Sequence, residues 1–237
     1  MEQEKILQLQ QGLTTAFMNQ AISSNLAYRP QFISNNYREG RKVFSSIENE
    51  LLSCEEFSIS VAFITMGGIT PLLQTLRELE CRGIPGRILT TDYLAFSAPK
   101  ALRILANFKN IELKMFVTEN AKEGFHTKGY IFKKKEIYRM IVGSSNMTLS
   151  ALTKNREWNT KIVSTDQGEY AQNLVSEFEQ LWNAEESLSF EQFIESYTKL
   201  YTKNKLIKKQ RETARQEEIP SLEMYRLQPN SMQILYL

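Results

Sequence analysis

Phe125-His126-Thr127-Lys128-Gly129-Tyr130-Ile131-Phe132 begins a run that passes through Lys133-Lys134-Lys135-Glu136 and Tyr138 to Ile141-Val142-Gly143-Ser144-Ser145-Asn146, with Glu157 eleven residues beyond. The aromatic and β-branched residues predict strands near 128–133 and 138–142, with the charged stretch Lys133–Glu136 as the turn between them. Side chains alternate along a strand, so His126, Lys128 and Tyr130 are expected on one face, with Tyr130 as a flanking contact, and Thr127 and Gly129 on the other. Gly143–Asn146 falls at a strand-to-helix turn, where backbone and hydroxyl donors converge. Its Ser-Ser-Asn also suits a helix cap, with Asn146-Met147-Thr148 opening a short helix to about Lys154. A further strand is expected from Glu157 to Ser164.

Upstream, Phe57–Ile64, Gly86–Thr91 and Ile111–Phe116 read as strands. Helices from Leu72 to Cys81 and from Ser97 to Phe108, the latter with Ser97 as its cap, lie between them. This β-α-β-α-β series predicts an α/β fold with a mixed, mostly parallel sheet flanked by helices. Before it come an amphipathic helix over 5–22, with Leu9, Leu13, Phe17 and Ile22 on one stripe, a short extended segment over 32–36, and a helix over 38–52. After it, Tyr170–Trp182 reads as a helix, and Ser189 to about Arg211 as a basic helical arm with no acidic residue between Lys199 and Arg211. The expected domains are a helical extension over 1–37, the main domain over 38–187, the arm over 188–216, and a Pro-containing linker over 217–237.

Of the 237 residues, 42% are hydrophobic and 24% charged, the balance of an ordinary globular protein. No apolar run reaches the roughly 18 residues of a membrane helix, and the first residues lack the order of a signal peptide, so a cytoplasmic location is expected. Cys54 and Cys81 have no CxxC spacing and are expected as buried free thiols. A net charge of +2 makes any nucleic-acid role depend on where basic residues cluster. The single histidine excludes a zinc site needing several imidazoles from one chain. Neither GxxxxGK[ST] nor GxGxxG is present to cradle a nucleotide phosphate.

His126-x-Lys128, then Gly143-Ser144-x-Asn146, then an acidic residue at Glu157, resembles the half-site of the phospholipase D superfamily. His-x-Lys alone is common by chance, and the four elements in order carry the resemblance, which covers about 40–185. Where that family commonly has Asp, five residues after the motif lysine, this chain has Lys133. The resemblance is nearest to the metal-independent restriction-endonuclease branch and to the nuclease domain that opens certain bacterial superfamily 2 helicases. Leu227–Gln233 is similar to the lead-in of such a helicase domain, which makes 217–237 a linker towards it.

What the resemblance implies is phosphodiester cleavage without metal or other cofactor, in which one histidine attacks phosphorus and a second protonates the leaving oxygen. One chain supplies His126 alone, so a two-fold homodimer is expected to bring two copies to one phosphate. His126 is then nucleophile or acid, Lys128 and Asn146 bind non-bridging oxygens, and Glu157 orients the imidazole. Ser144, Ser145, Lys154 and Arg156 complete the expected substrate contacts. Lys133, Lys134, Lys135, Arg139, Lys154, Arg156 and Lys161 are a candidate track for a DNA backbone. The other readings are a non-catalytic nucleic-acid-binding or dimerisation module, and a phosphatidyl-transferring enzyme.

Overall fold

The computed structural model describes residues 2–36 and 38–224. Chain order begins α1 (Glu2–Phe17), β1 (Gln31–Ile33), α2 (Val43–Ser53), β2 (Glu56–Val61), α3 (Met66–Ile69), α4 (Leu73–Cys81), β3 (Gly86–Thr91), α5 (Pro99–Ala106) and β4 (Ile111–Phe116). It continues with β5 (Lys128–Lys134), β6 (Ile137–Gly143), α6 (Leu149–Thr153), β7 (Asn159–Thr165), α7 (Glu169–Asn183), β8 (Ser187–Ser189) and α8 (Phe190–Met224). The strands form one eight-stranded sheet in the order β1-β7-β6-β5-β2-β3-β4-β8, flanked by helices.

The fold class is the expected mixed α/β arrangement, with one correction to its balance. Only β2–β3 and β3–β4 are parallel, whereas the pairings of β1–β7, β2–β5, β4–β8, β5–β6 and β6–β7 are antiparallel. Helical crossovers join β2, β3 and β4, which keeps their direction. Between β5 and β6 stands a tight turn with Lys135 at φ 54°, and it reverses the chain.

On one face α7 packs Ala171, Phe178 and Trp182 against Leu89, Ile131 and Met140. Arg87 lies over the Phe178 and Trp182 rings and bonds both carboxylate oxygens of Glu179, at 3.0 and 2.6 Å. On the other face α2 carries Glu50, which takes Lys161 at 3.2 Å and Arg139 at 3.7 Å. These two bases are therefore committed to the helix–sheet contact and leave the expected DNA track.

Four further expectations are corrected. Helix α1 docks through Leu9, Gly12 and Thr15, while Leu13, Phe17 and Ile22 are exposed. Gly12 decides this: a Cβ there would stand 2.7 Å from the Tyr28 carbonyl oxygen, so a close backbone approach sets the docked stripe. Ser97 does not cap α5, because Ala98 holds that position; its buried hydroxyl instead accepts the Ile64 N–H at 3.0 Å and ties the segment that follows β2. Cys54 is buried and its thiol is pushed up to about 11 by that burial, but Cys81, in the last turn of α4, is exposed. The arm runs to Met224 rather than 216, because Arg211–Glu218 are mostly strong helix formers. The rest of the expected linker, 225–237, lies outside the described residues.

By packing, the described residues up to Tyr197 form one compact unit and those from Thr198 to Met224 fall in a second. No described helix is long and apolar enough to cross a membrane.

Candidate active site

Strands β2 and β3 end, β6 ends, and β5 and β7 begin at the same edge of the sheet, and the signature residues gather there. Lys128 is the first residue of β5 and pairs with Val61, the last of β2. His126 stands just before β5, so the loop, not the strand pleat, presents its ring. The Lys128 Nζ lies 2.7 Å from His126 Nδ1 and 2.7 Å from the His126 carbonyl oxygen. With Lys128 as an ammonium, Nδ1 accepts, and a neutral ring carries its proton on Nε2. Thr127 points away, its hydroxyl 2.5 Å from that of Ser60.

Gly143–Asn146 turns the chain out of β6 against the backbone of Trp158 and Asn159. A Cβ at Gly143 would sit 2.2 Å from the Trp158 carbonyl oxygen, so only glycine fits. Ser144 N–H donates to that same oxygen at 3.1 Å, and Trp158 N–H donates to Ser144 Oγ at 3.0 Å. The Ser144 hydroxyl donates to Glu157 Oε2. Asn146 Oδ1 accepts the Phe63 N–H at 3.1 Å, which leaves the Nδ2 donors without a partner among the described residues.

Burial lowers the Lys128 pKa from its ordinary value, and the Glu157 carboxylate partly offsets this. Glu157 also adds to the burial that holds the Tyr130 phenol far above its usual range. Its charge therefore acts on the ground between Lys128 and Tyr130. The contact that fixes it is Ser144, and no hydrogen bond joins it to His126 among the described residues.

His126, Lys128, Ser144, Asn146 and Glu157 thus come together, but several expected roles shift. Ser145 is fully buried. Its hydroxyl accepts from Asn159 Nδ2 at 2.9 Å and its carbonyl accepts the Tyr130 hydroxyl at 3.0 Å, so both residues brace the turn from beneath and neither flanks a substrate. Ser144 has its proton committed to Glu157. Lys154 and Arg156 are exposed on the loop before Glu157. Lys133 and Lys134 lie at the opposite end of β5 and Lys135 in the turn after it, Lys133 about 17 Å from Lys128 at 3.3–3.4 Å per residue. The departure at Lys133 is therefore remote from the site and does not bear on its substrate by contact.

Reading the motifs missed the aromatic residues around this centre. Phe63 and Tyr93 each place a ring edge-on to His126, with centroids 6.1 Å away. Phe96 lies 4.9 Å from Phe63. Tyr93, Leu94 and Phe96 are exposed, and Leu94 and Ala95 hold φ of 56° and 44°, left-handed values that such residues adopt at a cost. On the Glu157 side Trp158 and Phe32 are exposed. The available signal was Trp158, an aromatic beside the motif acid. Among the described residues, no three His, Cys, Asp or Glu side chains group as a metal site.

Residues 48–182 match the family model described as "Cardiolipin synthase, PLD-like domain". No curated protein sequence matches the chain. Among solved structures, it is similar to NucT from Helicobacter pylori, at 19% identity and a TM-score of 0.53, over 68% of this chain and 99% of that one. It is similar to the phospholipase D family member Nuc from Salmonella typhimurium, at 18% identity and a TM-score of 0.54 over the same shares. A third likeness is to phosphatidylserine synthase from Haemophilus influenzae Rd KW20, at 15% identity and a TM-score of 0.51, over 78% of this chain and 46% of that one. At these identities the likeness is one of fold. With more than half of its length matched by the family model, the chain belongs to the family of cardiolipin synthase-type, PLD-like domains.

Proposed function

We propose that this protein is a metal-independent nuclease that cleaves DNA through a phosphohistidine, with its site shared across a homodimer. The observation that carries the reading is the gathering of His126, Lys128, Asn146 and Glu157 at one sheet edge, with the Lys128 ammonium on the imidazole. A phosphodiester needs a positioned nucleophile, positive charge and a proton donor, and these residues supply that set once a second imidazole is present.

An incoming phosphate draws the Lys128 ammonium from Nδ1 onto its non-bridging oxygens, where the free Nδ2 of Asn146 also donates. The ring is then able to carry its proton on Nδ1 and offer the Nε2 lone pair. Nε2 attacks phosphorus, forming the P–N bond while the P–O bond to the leaving oxygen breaks. That oxygen takes its proton from the imidazolium of the second protomer. Water then attacks phosphorus, the second imidazole takes the water proton, and His126 leaves. Glu157, tied by Ser144, favours the charged form of Lys128 and partly offsets its burial.

The homodimer is supported by the exposed Tyr93-Leu94-Phe96 surface beside His126, an apolar patch where a second copy would approach. The wider assignment, a nuclease module of a helicase or restriction-like protein, rests on the resemblance of Leu227–Gln233, which lies outside the described residues.

Transfer of a phosphatidyl group is the second reading. It is favoured by the family description and by the same exposed loop, which could meet a lipid surface. Plasmid DNA and phosphatidylcholine vesicles, each incubated with the protein in EDTA, separate the two. Nicked plasmid with intact lipid is expected, and intact plasmid beside hydrolysed lipid replaces the first reading with the second. His126→Ala should lower cleavage by about 10³-fold or more while leaving the dimer mass unchanged; a variant that cuts at the parent rate sinks the assignment.

A further inference from the structure

We propose that the strand this site takes is single-stranded nucleic acid, one base stacking on Trp158 and the neighbouring phosphates lying on Lys154, Arg156 and Arg38; this rests on the nuclease reading. Trp158 is 73% exposed and Phe32 64%, although both are large apolar side chains in an otherwise packed unit. Their rings meet edge-to-face with centroids 6.2 Å apart, so Phe32 props the indole and leaves at least one of its faces open. The Trp158 backbone is held by its two hydrogen bonds with Ser144, the residue whose hydroxyl also ties Glu157.

Charge lies close by in the chain, with Lys154 and Arg156 four and two residues before Trp158. Arg38, Lys154 and Arg156, with Asn35, Asn36 and Glu39, line one open cavity of about 520 Å³. Glu39 is paired with Arg41 at 2.5 Å, so the lining carboxylate is neutralised, whereas the Arg38, Lys154 and Arg156 side chains have no acidic partner among the described residues. This cleft is built rather than incidental. Buried Asn35 donates to the carbonyl oxygens of Ala151 and Asn155 at 2.8 and 2.6 Å and accepts the Val43 N–H at 2.8 Å, which clamps the loop bearing Lys154 and Arg156 to the segment bearing Arg38.

An open aromatic face, two and four residues along the chain from cations without an acidic partner among the described residues, suits a chain with free bases. In a duplex the bases are stacked on each other and turned inward, so Trp158 would meet only sugar and phosphate. In a single strand each base offers a π-face, and stacking on an aromatic contributes to binding whatever the sequence. Phe32 and Arg38, upstream of the family match, thereby become part of the substrate surface.

The test uses the full chain with His126→Gln, so that strands bind without being cut. A single-stranded DNA oligonucleotide, the RNA of the same sequence, and the DNA annealed to its complement are titrated by fluorescence anisotropy and by tryptophan emission. Trp182 is buried, so a quench reports Trp158. Single strands, DNA or RNA, should bind about tenfold or more tighter than the duplex and quench the emission, and Trp158→Ala should lose about tenfold while Trp158→Phe retains the affinity. Whichever single strand binds tighter, the DNA or the RNA, names the substrate sugar. Equal affinity for the duplex with no effect of Trp158→Ala overturns the proposal. Conversion of the dimer to a monomer by Trp158→Ala overturns it as well, because the patch is then an interface between copies. Plasmid nicking by the unmodified protein is scored separately: if it persists while single strands show no preference, the nuclease reading stands and this inference alone falls.

Discussion

At the scale of the residue, the Lys128–His126 contact is where chemistry and pH meet. Burial disfavours the Lys128 ammonium, so the charge is lost as pH rises through a value below the ordinary lysine range of about 10.4. On the alkaline side kcat/KM for an oligonucleotide should therefore fall earlier than an unperturbed lysine would allow. Lys128→Arg, which keeps its proton, should move that limb upward in a pH–rate profile even if the maximum rate is lower. Gly143 makes a second test. An added methyl would strike the Trp158 carbonyl oxygen and Asn159, backbone that cannot step aside. Gly143→Ala should cost about 1–3 kcal/mol in urea unfolding and loosen Ser144 from Trp158, with loss of cleavage. The nearness of His126 to Lys128 was expected from a shared strand face, but the loop before β5 is what produces it. The parts of Ser144 and Ser145 were not legible, since a serine's role depends on which neighbour takes its hydroxyl, and those neighbours, Glu157 and Asn159, lie 13 and 14 residues away.

At the scale of the element, α2 on the sheet is the instructive contact. Glu50 is 7% exposed and receives Arg139 from β6 and Lys161 from β7. Glu50→Ala would leave two cations partly desolvated without their counter-charge. The expected loss is about 1–3 kcal/mol in denaturant titration, below the full cost of breaking a buried pair because Arg139 and Lys161 keep some water. Cleavage by the folded fraction should be unchanged, as neither base reaches the site. Strand positions were well legible: Gly86–Thr91 and Ile111–Phe116 form as expected, because their β-branched and apolar runs are bounded by turn residues. The docked face of α1 was not, because a close approach at Gly12 outweighs an apolar stripe that finds nothing to cover it.

At the scale of the whole molecule, the sheet order does the assembling. Residues from five segments, 63, 93, 126–128, 144–146 and 157–158, reach one edge because two parallel crossovers and three antiparallel pairings end strands there. If the site is completed by a second copy, coexpression of the parent with differently tagged His126→Ala should show it. Activity should follow the square of the parent fraction, about a quarter at equal amounts, since a mixed dimer carries one imidazole. A linear decline, or a monomer by light scattering, would remove the shared site.

By itself the sequence determined the family half-site, the strand runs that carry it and the presence of a single imidazole per chain, because residue type, local periodicity and a count of one histidine are properties of the chain. Only the tertiary structure decided the rest. It sent Arg139 and Lys161 to Glu50, put Lys133 at the far end of β5, committed Ser144 to Glu157, and set Trp158 and Phe32 open beside the site. The physical reason is common to all four: a side chain's partner and its exposure are fixed by strand order and register, which bring together residues that no local pattern links.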